Sequence, residues 1–346
     1  MICRAVCLIC SMGLITAQNV PFRVQSKVVQ VPVSVTDKNG KNVDGLTASD
    51  FIVLDDGVPQ KATVDDFFSG LAPISLAIVV QTSGISTPAL AKIRRIGSMI
   101  QPLVTGERGE AALVTFDSEI TWRQDFTSDD DKIRDAVKKL RPSWEGQARM
   151  IDAIAAVADR MKERQGRKVL LLISESRDRG SNTKFQQAME AVEHQGIEVF
   201  GAHYSAYATG LIAKTKDQAD VPPQPTSGDP EDWPDDSSAS VNLLAMAMEL
   251  GRLGKTKPIQ VLTRATGGSD YPFLKGSGIE NSIEKLGTEV HSQYILSFPQ
   301  RSETPGMHRI EVSVPDHAEL RIRSRRTYWV GEAQETGQPA QRPTSN

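Results

Sequence analysis

Short, nearly continuous apolar runs alternate with amphipathic stretches from residue 74 onward, and this alternation constrains the fold more than any other feature of the sequence. The runs SLAIVVQ, AALVTF, KVLLLIS and IEVFGAHY are typical of strands that are covered on both faces. Between them, MIDAIAAVADRM at residues 150–161 has apolar residues at helical spacing, and Asp152 in its first turn is predicted to interact favourably with the helix dipole. Strands and helices in this order predict an α/β fold whose mainly parallel sheet is doubly wound, with helices on both faces.

Residues 22–70 show a different pattern, which is that of antiparallel strands. The sequence VQVPVSVT at 29–36 alternates strictly between apolar and polar residues, and Asn39-Gly40 and Asp56-Gly57 are pairs that favour tight turns. Further strands are indicated by HRIEVSV and ELRIRSRRTYWV near the C-terminus. We therefore expect a small accessory β unit at 22–70, completed by strands within 306–330, beside an α/β domain at 71–300.

Two segments lack the apolar residues that a core requires. Residues 218–238, which include VPPQPTSGDPEDWPDDSS, are rich in Pro, Asp and Ser and predict a disordered insertion in the α/β domain. A helix is predicted after it, at about 239–254. The polar residues 331–346 predict a disordered tail.

The first residues have the pattern of an export signal. Arg4 precedes an apolar stretch and Ala17 is a small residue near a plausible cleavage point, so residues 1–17 are predicted to be a signal peptide; a buried N-terminal strand is the alternative. All three cysteines lie in this segment, so the mature chain is expected to contain no disulfide and no cysteine nucleophile. We expect a secreted or periplasmic protein without an integral membrane segment, and the net charge of -3 gives no overall attraction to nucleic acid.

Several segments match a known family in the order in which they occur. They are VTDKNGKNVDGLTASDFIVLDDGVPQK, VTFDSEITWRQDFT, IDAI, LLISESRDRGS, ATGG, SQYILSF and RIRSRRTYW. Over about residues 25–330 the chain resembles a von Willebrand factor type A domain protein, and more closely the VWFA-related acidobacterial domain family of exported bacterial proteins. The resemblance implies a Rossmann-like α/β domain and a role in protein interaction or adhesion.

The resemblance also implies a metal-ion-dependent adhesion site, from which this chain departs. The family pattern is an Asp-x-Ser-x-Ser turn after the first strand, a Thr from a neighbouring loop and an Asp after the fourth strand, which together hold Mg²⁺. Here Gln81 stands for the Asp, Ser83 remains and Ile85 stands for the second Ser. Ala148 lies near the Thr position, and Glu175 stands for the later Asp.

These departures predict a degenerate metal site that binds no cofactor. A neutral amide, an alkyl chain and a methyl group are poor ligands for a hard divalent cation. Weak Mg²⁺ binding through Ser83 and Glu175 stays open as an alternative. The predicted binding edge consists of Gln81, Ser83, Ile85, Ser86, Ala148, Glu175 and Asp178.

The function predicted from these features is that of an exported, non-catalytic module that binds an unidentified protein partner. Two alternatives remain: a Mg²⁺-dependent adhesion module with an atypical ligand set, and a hydrolase with its site at Ser83. The G-x-S-x-G elbow of an α/β-hydrolase is absent, and nothing in the sequence pairs His203 or His291 with Ser83. The histidines show no metal-binding spacing, and no dinucleotide or Walker motif follows a strand.

A basic stripe is predicted near the C-terminus. Arg321, Arg323 and Arg325 alternate, so they are expected to face one way along a single strand, close to Tyr328 and Trp329. The stripe is interpreted either as a contact surface for an anionic partner or as a solvated face that protects a sheet edge.

Overall fold

The computed structural model describes residues 28–65, 73–83, 87–175, 177–203, 258–271 and 278–331. The predicted signal peptide, the insertion at 218–238, the helix at about 239–254 and the tail beyond residue 331 lie outside these ranges. So do two residues of the predicted binding edge, Ile85 and Ser86.

Strands and helices take the following bounds in the described residues. The strands are β1 (Val28–Thr36), β2 (Ile52–Asp55), β3 (Val58–Gln60), β4 (Thr63–Asp65), β5 (Ile74–Gln81), β6 (Glu110–Phe116), β7 (Ile120–Thr127), β8 (Arg167–Ser174), β9 (Ile197–His203), β10 (Tyr294–Pro299), β11 (Gly306–Ser313), β12 (Arg321–Ser324) and β13 (Thr327–Val330). The α-helices are α1 (Thr87–Ile93), α2 (Asp130–Lys138), α3 (Met150–Arg160), α4 (Phe185–His194), α5 (Pro258–Thr266) and α6 (Gly278–Ser292). None of the helices within the described ranges is long and apolar enough to cross a bilayer.

A five-stranded sheet forms the centre of the α/β part, in the order β7-β6-β5-β8-β9. The strands β6, β5, β8 and β9 are parallel, and β7 is antiparallel to β6. All eight residues of β5 are buried, as its continuous apolar run predicts. One face packs against α1, α2 and α6, and the other against α3, α4 and α5. The predicted α/β class with a mainly parallel, doubly wound sheet is confirmed.

Two four-stranded antiparallel sheets form the accessory β part. Their orders are β12-β1-β10-β4 and β13-β11-β2-β3, and apolar residues of both sheets share one core. The strand β1 lies between β10 and β12, and β2 lies between β11 and β3, so strands from both ends of the described chain build this sandwich. The sheets pair segments about 260 residues apart in sequence, such as Val31 with Leu296.

Two assignments made from the sequence change in the structure. The strand β10 falls in the range predicted for the α/β domain, yet it pairs with β1 and β4. The segment ELRIRSRRTYWV is not one strand, because β12 and β13 belong to different sheets and the chain turns between them at Arg325 and Arg326. In both segments the periodicity indicates strand residues correctly, but it shows neither the break between β12 and β13 nor the partner of a strand.

The hairpin between β2 and β3 turns at Asp56-Gly57, as predicted from the sequence. Both residues have positive φ, 48° at Asp56 and 79° at Gly57. Such angles are those of a two-residue type I′ turn, which matches the twist of the strands it joins. Asp tolerates this conformation better than most residues that have a side chain, because its short carboxylate can accept local hydrogen bonds.

The strand order of the five-stranded sheet determines where a ligand site is expected. The chain leaves β5 toward β6 on one side and later returns to place β8 on the other side. Parallel α/β sheets bind ligands outside the carboxyl ends of the strands at such a point of reversal. The relevant edge is therefore the one formed by the residues that follow β5 and β8.

Candidate functional site

Three of the predicted site residues meet at this edge. Gln81 is the last residue of β5, Ser83 follows it by two residues, and Glu175 comes directly after β8. All three side chains are buried. Because β5 and β8 are parallel neighbours, their carboxyl ends bring residues 94 positions apart into direct contact.

Gln81 and Glu175 form a reciprocal pair of hydrogen bonds. The backbone N–H of Glu175 donates to Gln81 Oε1 at 3.1 Å, and Gln81 Nε2 donates to Glu175 Oε1 at 3.1 Å and to the carbonyl of Ser83 at 2.9 Å. A backbone N–H can only donate, which fixes the orientation of the amide. The amide nitrogen of Gln81 therefore faces the carboxylate of Glu175.

Arg179 supplies a second donor to the same carboxylate. Its guanidinium donates to Glu175 Oε1, and the Arg179 side chain is 42% exposed. The backbone groups of Arg179 and Ala148 exchange two hydrogen bonds of 2.8 Å, which hold the loop after β8 against the loop before α3. Ala148 thus lies at the edge, and its contacts there are made by its backbone. In the sequence, the one signal for Arg179 is its position four residues after Glu175.

Ser83 has no catalytic partner within the described residues. Its Oγ is fully buried and forms no hydrogen bond there. His203 ends β9 and its Nδ1 lies 2.8 Å from Asp270 Oδ1, whereas His291 in α6 hydrogen-bonds backbone groups of Leu103 and Val104. Because Ser83 Oγ has no hydrogen-bond partner, neither histidine lies within reach of its proton in this part of the chain.

Asp178 and Asp152 hold the start of α3 and the loop after β8 together. Asp178 accepts from the backbone N–H of Ile151 at 3.0 Å and from the hydroxyl of Ser181 at 2.6 Å. Asp178 is thus engaged as a cap for α3. Asp152 accepts in return from the backbone N–H groups of Asn182 at 3.0 Å and Thr183 at 2.8 Å, and from the guanidinium of Arg149 at 2.7 Å.

The hydrogen bonds to Asp152 stabilise its charged form. Burial by itself raises the pKa of this carboxyl group, but the donors at Thr183, Asn182 and Arg149 outweigh burial and lower its pKa to about 2. The sequence predicts for Asp152 an interaction with the helix dipole alone. The structure adds the ties to the loop that positions Arg179.

Replacing Asp152 by Ala is expected to lower the free energy of unfolding by about 2 kcal/mol at neutral pH. A carboxyl group whose pKa is lower in the folded state contributes stability above its unfolded pKa, and this contribution is lost as the pH falls through about 2. Urea denaturation at neutral and acidic pH measures both effects. Asp159→Ala, an exposed position in the same helix, is the control and should change the value by less than about 1 kcal/mol. Equal effects of the two substitutions would contradict the role given to Asp152.

Trp144 is the most exposed large apolar residue among the described residues. It is 96% exposed and lies in the loop that runs beside the end of β5, where the N–H of Ser143 donates to the carbonyl of Thr82 at 2.9 Å. An exposed tryptophan ring lacks the favourable free energy that burial of so large an apolar area provides. The sequence does not predict this exposure of Trp144, because an exposed ring and a buried one cannot be distinguished from the sequence alone.

The predicted basic stripe does not form a continuous exposed face. Arg321 and Arg323 lie in β12, and Arg325 follows it. The guanidinium of Arg323 contacts Glu289 of α6, the hydroxyl of Ser34 and the carbonyl of Gly267, while that of Arg325 donates to the carbonyl of Gln30. Two of the three arginines therefore bond other parts of the protein and are not free side chains of a fully solvated face. The strand β12 is nevertheless an edge strand of its sheet, as the protective interpretation requires.

Comparison with known proteins gives only distant similarities. No protein-family model matches the chain, and no curated protein matches it. Among solved structures the chain is similar to BatB from Bacteroides thetaiotaomicron (14% identity, TM-score 0.41, 63% of this chain and 98% of that chain). It is also similar to an aerotolerance-related membrane protein from Bacteroides fragilis (16%, 0.40, 63% and 98%) and to the vWF domain of the type V pili tip protein Mfa5 from Porphyromonas gingivalis (21%, 0.27, 31% and 39%). Because all three TM-scores are below 0.5, the function must be inferred from the residues of this chain.

Proposed function

We propose that the protein is an exported, non-catalytic protein-interaction module of the von Willebrand factor type A kind, whose partner docks at the edge formed by the ends of β5 and β8. The observation that carries this proposal is the exposure of Trp144 beside that edge. Tryptophan is enriched among the residues that contribute most to protein interfaces, because its ring buries a large area on binding. Export rests on the signal-like pattern of residues 1–17.

The edge is proposed to act without a metal ion. Mg²⁺ requires several oxygen ligands in nearly octahedral geometry, and it gives up water reluctantly. Here the carboxylate of Glu175 faces the amide nitrogen of Gln81 and the guanidinium of Arg179. A divalent cation at Glu175 would lie against two hydrogen-bond donors, one of them charged, so these residues do not fit Mg²⁺.

Arg179 is proposed to supply the positive charge that a metal ion provides in a complete adhesion site. One part of its guanidinium neutralises Glu175, and the half-exposed side chain leaves further N–H groups for a partner. A guanidinium binds carboxylates in a fixed, bidentate geometry. The partner surface is therefore expected to combine an apolar pocket for Trp144 with an acceptor for Arg179.

The hydrolase alternative has weaker support. A serine nucleophile needs a base within hydrogen-bond reach, and Ser83 Oγ has none among the described residues. The carboxylate of Glu175 at this edge is engaged by the guanidinium of Arg179. Activity-based labelling that disappears in Ser83→Ala would favour the hydrolase over the binding module.

Trp144→Ala is expected to weaken binding of the partner by about 30-fold, since truncation of a central interface tryptophan costs about 2 kcal/mol or more. The measurement starts with crosslinking capture from the envelope fraction of the source cell, followed by titration of the recovered partner with purified variants. Val58→Ala removes an exposed apolar side chain from β3, away from the edge, and should leave the affinity unchanged.

The same titration distinguishes the alternatives. Equal affinity in Mg²⁺ and in EDTA is expected for a module that uses Arg179 in place of an ion. Loss of binding in EDTA would instead establish the Mg²⁺-dependent module. An unchanged affinity of Trp144→Ala would place the interface elsewhere on the protein.

A further inference from the structure

A second group of charged residues lies in the β sandwich, in a different part of the chain from the edge of the parallel sheet. Asp55 ends β2, Asp56 is the first residue of the turn after it, and His308 lies in β11. Each residue offers one ligand atom, and these three atoms lie within 4.8 Å of one another. The pairing of β2 with β11 brings together residues 252 positions apart in sequence.

The two nitrogens of His308 have different surroundings. Nε2 lies 2.9 Å from the carbonyl of Thr304, which can only accept, so Nε2 carries a hydrogen. Nδ1 lies 2.6 Å from Asp56 Oδ2 and is directed at the carboxylates. A metal-binding histidine is usually oriented in this way, with the other ring N–H held by a backbone carbonyl.

Asp56 is directed at His308 by the backbone. Its φ of 48° places its carboxylate over β11, where Oδ1 accepts from the N–H of Arg309 at 2.8 Å and leaves Oδ2 for the histidine. The side chain of Asp56 is 51% exposed, so the group is open to solvent on this side.

Asp55 is a buried carboxylate whose side-chain oxygens share one donor among the described residues. Both of its oxygens lie within hydrogen-bond distance of the same group, the hydroxyl of Tyr328, at 3.1 and 3.0 Å. One hydroxyl has one proton, so at least one oxygen of Asp55 receives no hydrogen from Tyr328. A buried carboxylate oxygen without a donor is costly unless a cation or a proton is near it. This deficit indicates a ligand independently of the grouping itself.

We propose that Asp55, Asp56 and His308 bind a divalent transition-metal ion of the Zn²⁺ class. The ion takes His308 Nδ1, Asp56 Oδ2 and one oxygen of Asp55 as ligands, and it displaces the proton from Nδ1 to solvent while Nε2–H stays on Thr304. Two carboxylates and a neutral imidazole balance a charge of +2, whereas an imidazolium leaves the group with a net negative charge. One imidazole with two carboxylates suits Zn²⁺ better than Mg²⁺ or Ca²⁺, which prefer oxygen ligands alone.

The alternative is a metal-free ion pair in which a protonated His308 bridges the two aspartates. Both arrangements use the same contacts, so the distinction requires a measurement with the ion itself. The metal site, unlike the ion pair, needs both the lone pair of Nδ1 and the exposed carboxylate of Asp56.

Calorimetric titration with Zn²⁺ at neutral pH tests the proposal, and it uses the chain from residue 18 onward because Cys3, Cys7 and Cys10 of the predicted signal peptide are themselves Zn²⁺ ligands. We expect one bound ion in the wild-type protein, and at least tenfold weaker binding in His308→Gln and in Asp56→Asn. Asp56→Asn keeps the shape of an exposed side chain, and circular dichroism confirms that each variant is folded. Mg²⁺ and Ca²⁺ at the same concentration should not compete.

Two controls locate the ion. His317→Gln removes an exposed histidine in the loop between β11 and β12, and Glu175→Gln alters the edge of the parallel sheet; both should bind Zn²⁺ as the wild type does. Absence of Zn²⁺ binding in the wild-type chain, or unchanged binding in both folded variants of the group, would overturn the proposal in favour of the ion pair.

Discussion

Replacing Arg167 by Met is expected to lower the free energy of unfolding by about 3 to 5 kcal/mol. Arg167 begins β8, and its guanidinium bonds Glu198 Oε2 at 3.1 Å, the carbonyl of Val290 at 2.8 Å and the side chain of Gln293. The side chains of Arg167 and Glu198 are only 7% and 5% exposed. Removing the guanidinium therefore leaves the carboxylate of Glu198 buried without its counter-ion, and this desolvated charge is the source of the large effect.

The position of this network explains why the loss should affect the whole protein. Gln293 also donates to Glu198 Oε1 and to the hydroxyl of Ser34 in β1. The network thus joins the parallel sheet to the sandwich through buried hydrogen bonds. Urea denaturation should show one transition in the wild type, and a lower midpoint or a separate early transition in Arg167→Met.

The controls for this substitution use an exposed pair and a double variant. Lys162→Met breaks an exposed ion pair with Asp159 and should change the free energy by less than about 1 kcal/mol. Arg167→Met combined with Glu198→Gln removes the orphaned charge and should recover part of the loss. If the double variant were as unstable as Arg167→Met, the cost would arise from packing and not from the unpaired charge.

The substitution Glu193→Gln is expected to change the free energy of unfolding in a pH-dependent way. Its effect should be more stabilising at alkaline pH than at acidic pH by about 3 kcal/mol. Glu193 is buried where α4 meets β13, the same contact in which His194 lies 4.8 Å from the ring of Trp329. Burial raises the pKa of this carboxyl group to about 7, and the charge of Glu190 adds to the shift. The folded state thus holds a proton that the unfolded state has released.

The sign of the effect follows from this difference in pKa. Folding binds a proton at Glu193 between the unfolded pKa of 4.5 and the folded pKa of about 7. The contribution of Glu193 to the stability of the wild type is fully present below pH 4.5 and is lost as the pH rises through about 7. Glutamine does not titrate, so the variant lacks this decline.

Urea denaturation at about pH 4 and about pH 8 measures the difference between Glu193→Gln and the wild type. The difference should grow by about 3 kcal/mol toward the higher pH. Glu163→Gln, at an exposed position, should change in parallel with the wild type. A constant difference for Glu193→Gln across this range would show that folding does not change the proton binding of Glu193, and would contradict a raised pKa in the folded protein.

The sequence predicted the α/β part well because its signals are local. Strands buried on both faces must be apolar throughout, and helices that cover a sheet must have apolar residues at helical spacing, so both are visible in the runs from residue 74 onward. The strand order then follows a small set of topologies, and it places Gln81, Ser83 and Glu175 at one edge. The residues that could be predicted from the sequence as site residues were those at the positions of the metal-site pattern of the family that the chain resembles.

Other features of the site depended on contacts that the sequence does not display. The carboxylate of Glu175 is paired with Arg179, and Asp178 caps α3, because two loops exchange backbone hydrogen bonds at Ala148. Trp144 has the same letter whether it is buried or exposed, and only packing leaves it in solvent. The sequence therefore could not show that Glu175 faces a guanidinium, that Asp178 caps a helix or that an exposed ring lies beside the edge.

The sequence by itself determined which segments form strands and helices, because periodicity in burial is a property of neighbouring residues. The tertiary structure alone decided which strands pair, and thereby which charges meet. Asp55 and His308 come together, and Arg167 meets Glu198 and Gln293, only because strands distant in the chain share a sheet or a core. The free energy of such contacts depends on burial and on the geometry of both partners, which no local pattern of residues specifies.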